Sequence, residues 1–72
     1  MTSRFKTYVE GPRWAGTEKF LIRTANEFDL DIETRVDRGW IRETVYFTVT
    51  GSHDNLERFK SRVQRALLEM NR

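Results

Sequence analysis

"DLDIETRVDRGWIRETVYFTVTG", residues 29–51, decides the fold. Leu30, Ile32, Thr34 and Val36 alternate with Asp31, Glu33 and Arg35. A period of two puts the first set on one face of a strand and the charged set on the other. After "VDRGW" the alternation resumes. Ile41, Val45, Phe47 and Val49 face inward; Arg42, Thr44, Tyr46 and Thr48 face outward. Two half-buried strands joined by a short Gly-containing turn make a hairpin, with Gly39 free to take a positive φ. Matching apolar faces pairs Val36 with Ile41, Ile32 with Val45 and Leu30 with Phe47. That register needs a tight turn at Arg38-Gly39 or a four-residue loop. It leaves Glu43 on the inner face opposite Thr34, a place with no evident use for a carboxylate unless it lies past the end of the helix layer or marks a bulge.

Outward from the hairpin, both flanks read as helices. Downstream, Gly51 ends the strand. Asp54 and Glu57 have the spacing of a capping box, with Asp54 as the N-cap. Leu56, Phe59, Val63, Ala66, Leu67 and Met70 then form one apolar stripe to the C-terminus. Upstream, Thr17 is a fair N-cap for a helix to about Phe28, with Phe20, Leu21, Thr24, Ala25 and Phe28 on one face. Glu18 suits the positive end of its dipole. Before it, Arg4–Val9 alternates as a first strand, with Phe5, Thr7 and Val9 on one side and Lys6 and Tyr8 on the other. Gly11-Pro12 breaks that strand.

The order βαββα predicts an α+β two-layer sandwich, a three-stranded antiparallel sheet with two helices on one face. A right-handed crossover from the first strand to the second leaves a gap for the third, so the strand order is 1-3-2. This is a truncated ferredoxin-like plan. Its last strand is missing, and the first strand becomes an open edge. Residues 1–72 read as a single small domain.

Composition excludes several functions. The chain has no cysteine and one histidine, so disulfides, thiolate metal sites and paired-histidine motifs are out. No cofactor is expected. The mixture of 38% hydrophobic and 33% charged residues suits a globular domain rather than a disordered one. No apolar run has membrane-spanning length, and "MTSRFKTYVE" has no signal core, so a cytoplasmic location is expected. The net charge of +2 argues only weakly for a nucleic-acid partner.

The candidate sites are few. "GPRWAG", residues 11–16, precedes a helix, where backbone N–H groups attract anions and Arg13 and Lys19 add charge. The Walker spacing is absent, so the loop reads as a connection, with Trp14 folded over the core edge. The last helix carries Arg58, Lys60, Arg62, Arg65 and Arg72, and residues 27–37 are acidic, so the molecule is electrically asymmetric. His53 beside Asp54 has no nucleophile or metal ligand at a useful spacing and reads as a loop residue. Trp40 reads as an edge-packing residue.

Three families offer comparisons. "GPRWAGTEKFLIRTANEFDLDI" resembles the first loop and helix of the histidine-containing phosphocarrier proteins at Gly11, Phe20, Ala25, Phe28 and Ile32. Arg13 stands where that family carries its phosphorylated histidine, and Gly16 where it has proline. The likeness implies a shared strand-to-helix packing without phosphotransfer. Tyr8, Tyr46 and "RGW" at 38–40 are similar to parts of the RNA-recognition motif. Its alternating aromatics and fourth strand are missing, and Asp31 and Glu33 share the face. The acylphosphatase pattern of an arginine closely following loop glycines is not met.

The expectation is a non-enzymatic domain, monomeric or weakly dimeric. Every element has a consistent face, cap and turn while no motif stands alone, which reads as an engineered or designed scaffold without native function. The alternative is a binding module. It would hold nucleic acid through the basic helix 56–72 and the Arg13 loop, or a protein partner along the 4–9 strand edge. Its contact residues would be Arg13, Trp14, Lys19, Arg58, Arg62 and Arg65.

Overall fold

The computed structural model describes residues 2–70 and leaves the Met70 side chain aside. The expected places of Met70 on the apolar stripe and of Arg72 on the basic face lie outside what is described. Strand β1 (Thr2–Pro12) leads through a 3-10 turn at Arg13–Ala15 into α1 (Thr17–Glu27). Strands β2 (Asp31–Arg38) and β3 (Arg42–Ser52) follow, and α2 (His53–Met70) ends the described chain. The sheet is antiparallel with the order β1-β3-β2. Helix α1 lies toward β2 and α2 toward β1, both on the inner face. The expected βαββα sandwich is the observed one.

The core is the sum of the inner faces. Val45, Phe47 and Val49 of β3 meet Leu21 and Ala25 of α1, and Leu56, Phe59 and Val63 of α2. Phe59 lies edge-on to Phe47, which lies edge-on to Phe5, with ring centres 6.1 and 6.4 Å apart. Such edge-to-face contacts add to the area they bury.

Local chemistry moves several boundaries. Gly11 and Pro12 do not break β1; they pair with Glu43 and Arg42. The break comes at Gly16, which takes φ 69° and hands the chain to α1. Thr17 is thus the first helical residue rather than the cap, and it is buried. Helix α1 ends in a Schellman turn. The Leu30 N–H donates to the Ala25 carbonyl and the Asp29 N–H to the Asn26 carbonyl, with Asp29 at φ 57°. Leu30 precedes β2 instead of opening it, and it is buried.

The hairpin register differs from the expected one by four residues. Val36 pairs with Val45, Thr34 with Phe47 and Ile32 with Val49. The Gly39 N–H donates to the Arg42 carbonyl, so the turn residues are Trp40 and Ile41, and Ile41 is 56% exposed. Gly39 does not use positive φ. Its value is space, because a Cβ there would stand 3.1 Å from the Arg42 carbonyl oxygen. The new register explains Glu43. It faces Arg38 rather than Thr34, and the Arg38 Nε donates to its Oε2 at 3.2 Å, with the carboxylate only 5% exposed. Thr34 instead donates its hydroxyl to Glu18 of α1 at 2.6 Å.

The N-cap of α2 is Ser52, not Asp54. Its Oγ accepts from the Asn55 N–H at 3.3 Å. Glu57 does not reach back to close a box; it lies 3.5 Å from Lys60 and 3.8 Å from His53, which is the first residue of the helix.

Candidate interaction surface

The surface with the most unmet bonding capacity is the free edge of β1. Its pairing partner alternates along the chain, as in any antiparallel ladder. The Arg13 N–H donates to the Ile41 carbonyl at 3.0 Å, which fixes the phase. With the unbroken register of β1 on β3, odd residues from Ser3 to Gly11 turn their backbone groups to β3. Even residues, Thr2, Arg4, Lys6, Tyr8 and Glu10, turn theirs outward. Pro12 is also even, so its missing N–H falls on the solvent side, where a strand tolerates proline. That is why Pro12 continues the strand.

Beside this edge the inner face is not closed. Phe5, Thr7 and Val9 of β1 and Lys60, Val63, Gln64 and Leu67 of α2 line a groove of about 230 Å³. It runs on into a second, of about 300 Å³, bounded by Phe20 and Leu21 of α1 and by Ala66. Lys60 stands at the rim with its Nζ 4.8 Å from the Phe5 ring centre. Thr17 lies on the wall of the second groove, its Oγ1 buried and without a hydrogen-bond partner among the described residues. The grooves stay open because, among the described residues, no strand lies beyond β1 to cover that flank of α2.

The other expected contact residues are dispersed. Arg13 ties the loop to the hairpin tip, with Nη1 donating to the Trp40 carbonyl at 3.3 Å. Trp14 does not fold over the core edge; it is 77% exposed. Trp40 is not an edge-packing residue either, being 90% exposed. Lys19 lies on the outer face of α1, beside Ile22 and Arg23. Arg58, Arg62 and Arg65 share a shallow groove beside Phe28, near the far end of α1, where Arg62 lies 4.0 Å from Glu27. A helix rises about 1.5 Å per residue, so most of α1 separates that stripe from the Arg13 loop. The structure does not join them into one basic surface.

On the outer sheet face Tyr8 and Tyr46 are neighbours, with ring centres 5.9 Å apart, and Arg35 stacks 4.8 Å over Tyr46. Asp31 and Glu33 are exposed on that same face. Sequence reasoning found the edge but underestimated its length and missed the groove. The period of two names faces, whereas a groove depends on which elements are neighbours.

No catalytic constellation is assembled among the described residues. His53 lies 3.8 Å from Glu57, and among the described residues no group of three His, Asp or Glu is placed to hold a metal. No helix of the described residues is long and apolar enough to cross a membrane.

No protein-family model matches the chain, and no curated protein matches it by sequence. A solved structure does match in shape. It is a crystal structure provisionally described as that of a glycine cleavage system transcriptional repressor. The TM-score is 0.86 at 16% identity over 96% of this chain. That identity establishes the fold and no more. This chain spans 41% of the other's length. The likeness overturns the expectation of an engineered or designed scaffold without native function: the same fold occurs in a protein provisionally described as a transcriptional repressor. The chain is similar, over nearly its whole length, to one part of a larger repressor-like structure.

Proposed function

We propose that this chain is a non-catalytic regulatory module that works by binding a protein chain along the β1 edge. The observation that carries the reading is the row of outward backbone groups on Thr2–Pro12 beside an uncovered apolar groove. An extended segment added there would gain main-chain hydrogen bonds, and its inward side chains would enter the groove. Trp14, exposed just past the end of β1, extends the surface. The likeness to a protein described as a transcriptional repressor supports a regulatory setting inside the cell. The stripe of Arg58, Arg62 and Arg65 stands apart from this surface and has no part in the reading. In this reading residues 1–72 act as one domain.

The test is site-specific photo-crosslinking in cells that express the chain. A crosslinker replacing Lys6, on the β1 edge, should give discrete protein adducts. One replacing Glu33, on β2, should not. Adducts of equal yield from both positions, or none from Lys6, would sink the proposal.

A further inference from the structure

The β1 strand is complementary to itself. Thr7 is the middle residue of Thr2–Pro12. Consider a two-fold axis through Thr7, perpendicular to the sheet, with a second β1 laid antiparallel along the first. Arg4 then faces Glu10 of the second copy, Lys6 faces Tyr8, and Thr2 faces Pro12. On the inner face Phe5 meets Val9. Each even residue has its backbone groups pointing outward, so every facing even pair is a hydrogen-bonded pair. Pro12 has no N–H to give, so the facing Thr2 carbonyl is the one group left without a donor.

The side chains fit the same register. Arg4, Lys6, Tyr8 and Glu10 are all exposed on the outer face. Each copy contributes one Arg4–Glu10 ion pair and one Lys6 beside a tyrosine ring, both favourable across strands. Shifting the register by one pairing step weakens this fit. In one direction Lys6 meets Lys6. In the other Lys6 meets Glu10 and Tyr8 meets Tyr8, but Arg4 is left facing Pro12, and Thr2 and Ser3 lose their partners. The helices also fit. Helix α2 lies over both β1 and β3. Strands are spaced about 4.8 Å apart, so the two α2 axes would lie about 10 Å apart, an ordinary helix packing distance. Their Gln64 side chains, which line the groove together with Thr7, would lie on the side of α2 that faces the second copy.

We infer that the occupant of the β1 edge is a second copy of this chain, paired antiparallel about Thr7 to make one six-stranded sheet with all four helices on one face. The inference rests on the proposed role of the β1 edge and names its partner.

The test is sedimentation equilibrium of the full chain at low salt over a range of concentrations, with a charge swap. The chain should show a dimer in equilibrium with monomer. Arg4→Glu alone, or Glu10→Arg alone, should weaken the dimer about tenfold, since two cross-strand ion pairs become two like-charge pairs. The double variant Arg4→Glu with Glu10→Arg should return to within about threefold of the parent. Both residues are exposed, and an unchanged far-UV circular dichroism spectrum will show that the fold survives. A measurement without variants runs beside it. The amide protons of Arg4, Lys6, Tyr8 and Glu10 should exchange more slowly as concentration rises, while those of Ile32, Thr34 and Val36 on the β2 edge should not. A chain that stays monomeric, or a swap that fails to restore the dimer, overturns the inference. A monomer that still crosslinks from Lys6 to another protein leaves the edge-binding role standing and removes only the self-pairing. A monomer with no Lys6 adduct removes both.

Discussion

The sheet has two free edges, and they are built differently. β1 runs over 11 residues and its outer face mixes Arg4 and Lys6 with Glu10. β2 runs over 8 residues, and its outer face carries Asp31, Glu33 and Asp37 against Arg35. A second β2 laid antiparallel about Thr34 would set Asp31 against Asp37. One pairing step to either side would centre on Glu33 facing Glu33 or set Glu33 against Asp37. Beneath β2, Thr34 is tied to Glu18, so the inner flank is occupied. Beneath β1 an apolar groove stays open. Charge of one sign is a common way to blunt an edge. Here one edge is blunted and the other is not, and the backbone is alike in both. Side-chain charge and the placement of the helices decide which edge can take a partner.

The largest expected effect removes the platform that both edges share. Phe59 is fully buried under Phe47, and Leu21 is nearly so on the β2 side. Phe59→Ala should cost about 3–5 kcal/mol and Leu21→Ala about 2–5 kcal/mol, read from urea unfolding. In so small a domain either loss approaches the total stability. A loss under 1 kcal/mol for both would mean that the core is not where it is described.

Next comes the phase of the β1 ladder. Lys6→Pro removes an outward N–H, whereas Thr7→Pro removes one that bonds β3 opposite Phe47. The second variant should be the less stable by about 2 kcal/mol. Equal losses would mean that the free edge presents different residues, and the β1-β2 contrast would have to be redrawn.

A smaller effect is confined to the β2 side. Arg38→Ala leaves the buried Glu43 carboxylate without its ion partner and should cost about 1–3 kcal/mol. Adding Glu43→Leu should recover most of it, because the buried charge goes too. If the double variant is no better than the single, the ion pair is not the reason for Glu43.

The smallest change should be a gain. Asp29 holds φ 57° at the entry to β2. Asp29→Gly should raise stability by about 0.5–1 kcal/mol, seen as a higher melting temperature. A decrease would show that the Asp29 side chain has a role that the backbone geometry does not reveal.

The faces of all five regular elements could be read from residue spacing, because burial against one layer imposes a period of two on strands and about 3.6 on helices. The strand order followed from the right-handed crossover, which leaves a gap for the third strand. The hairpin register could not be read. A slip of four residues keeps Ile32, Thr34, Val36, Val45, Phe47 and Val49 inward, so their alternation is blind to it. The choice lay in single contacts: the Gly39 N–H on the Arg42 carbonyl, Arg38 on Glu43, and Ile41 left outside. The same holds at the candidate surface. The sequence by itself determined where the first strand sits in the sheet order and which side chains would line each of its faces, since these depend on local period and chain order. Only the tertiary structure decided that β1 extends through Pro12, that its even residues carry the free backbone groups, and that a groove runs beside it under α2. Those depend on which residue bonds which across the sheet, and non-local pairing leaves no periodic trace in the chain.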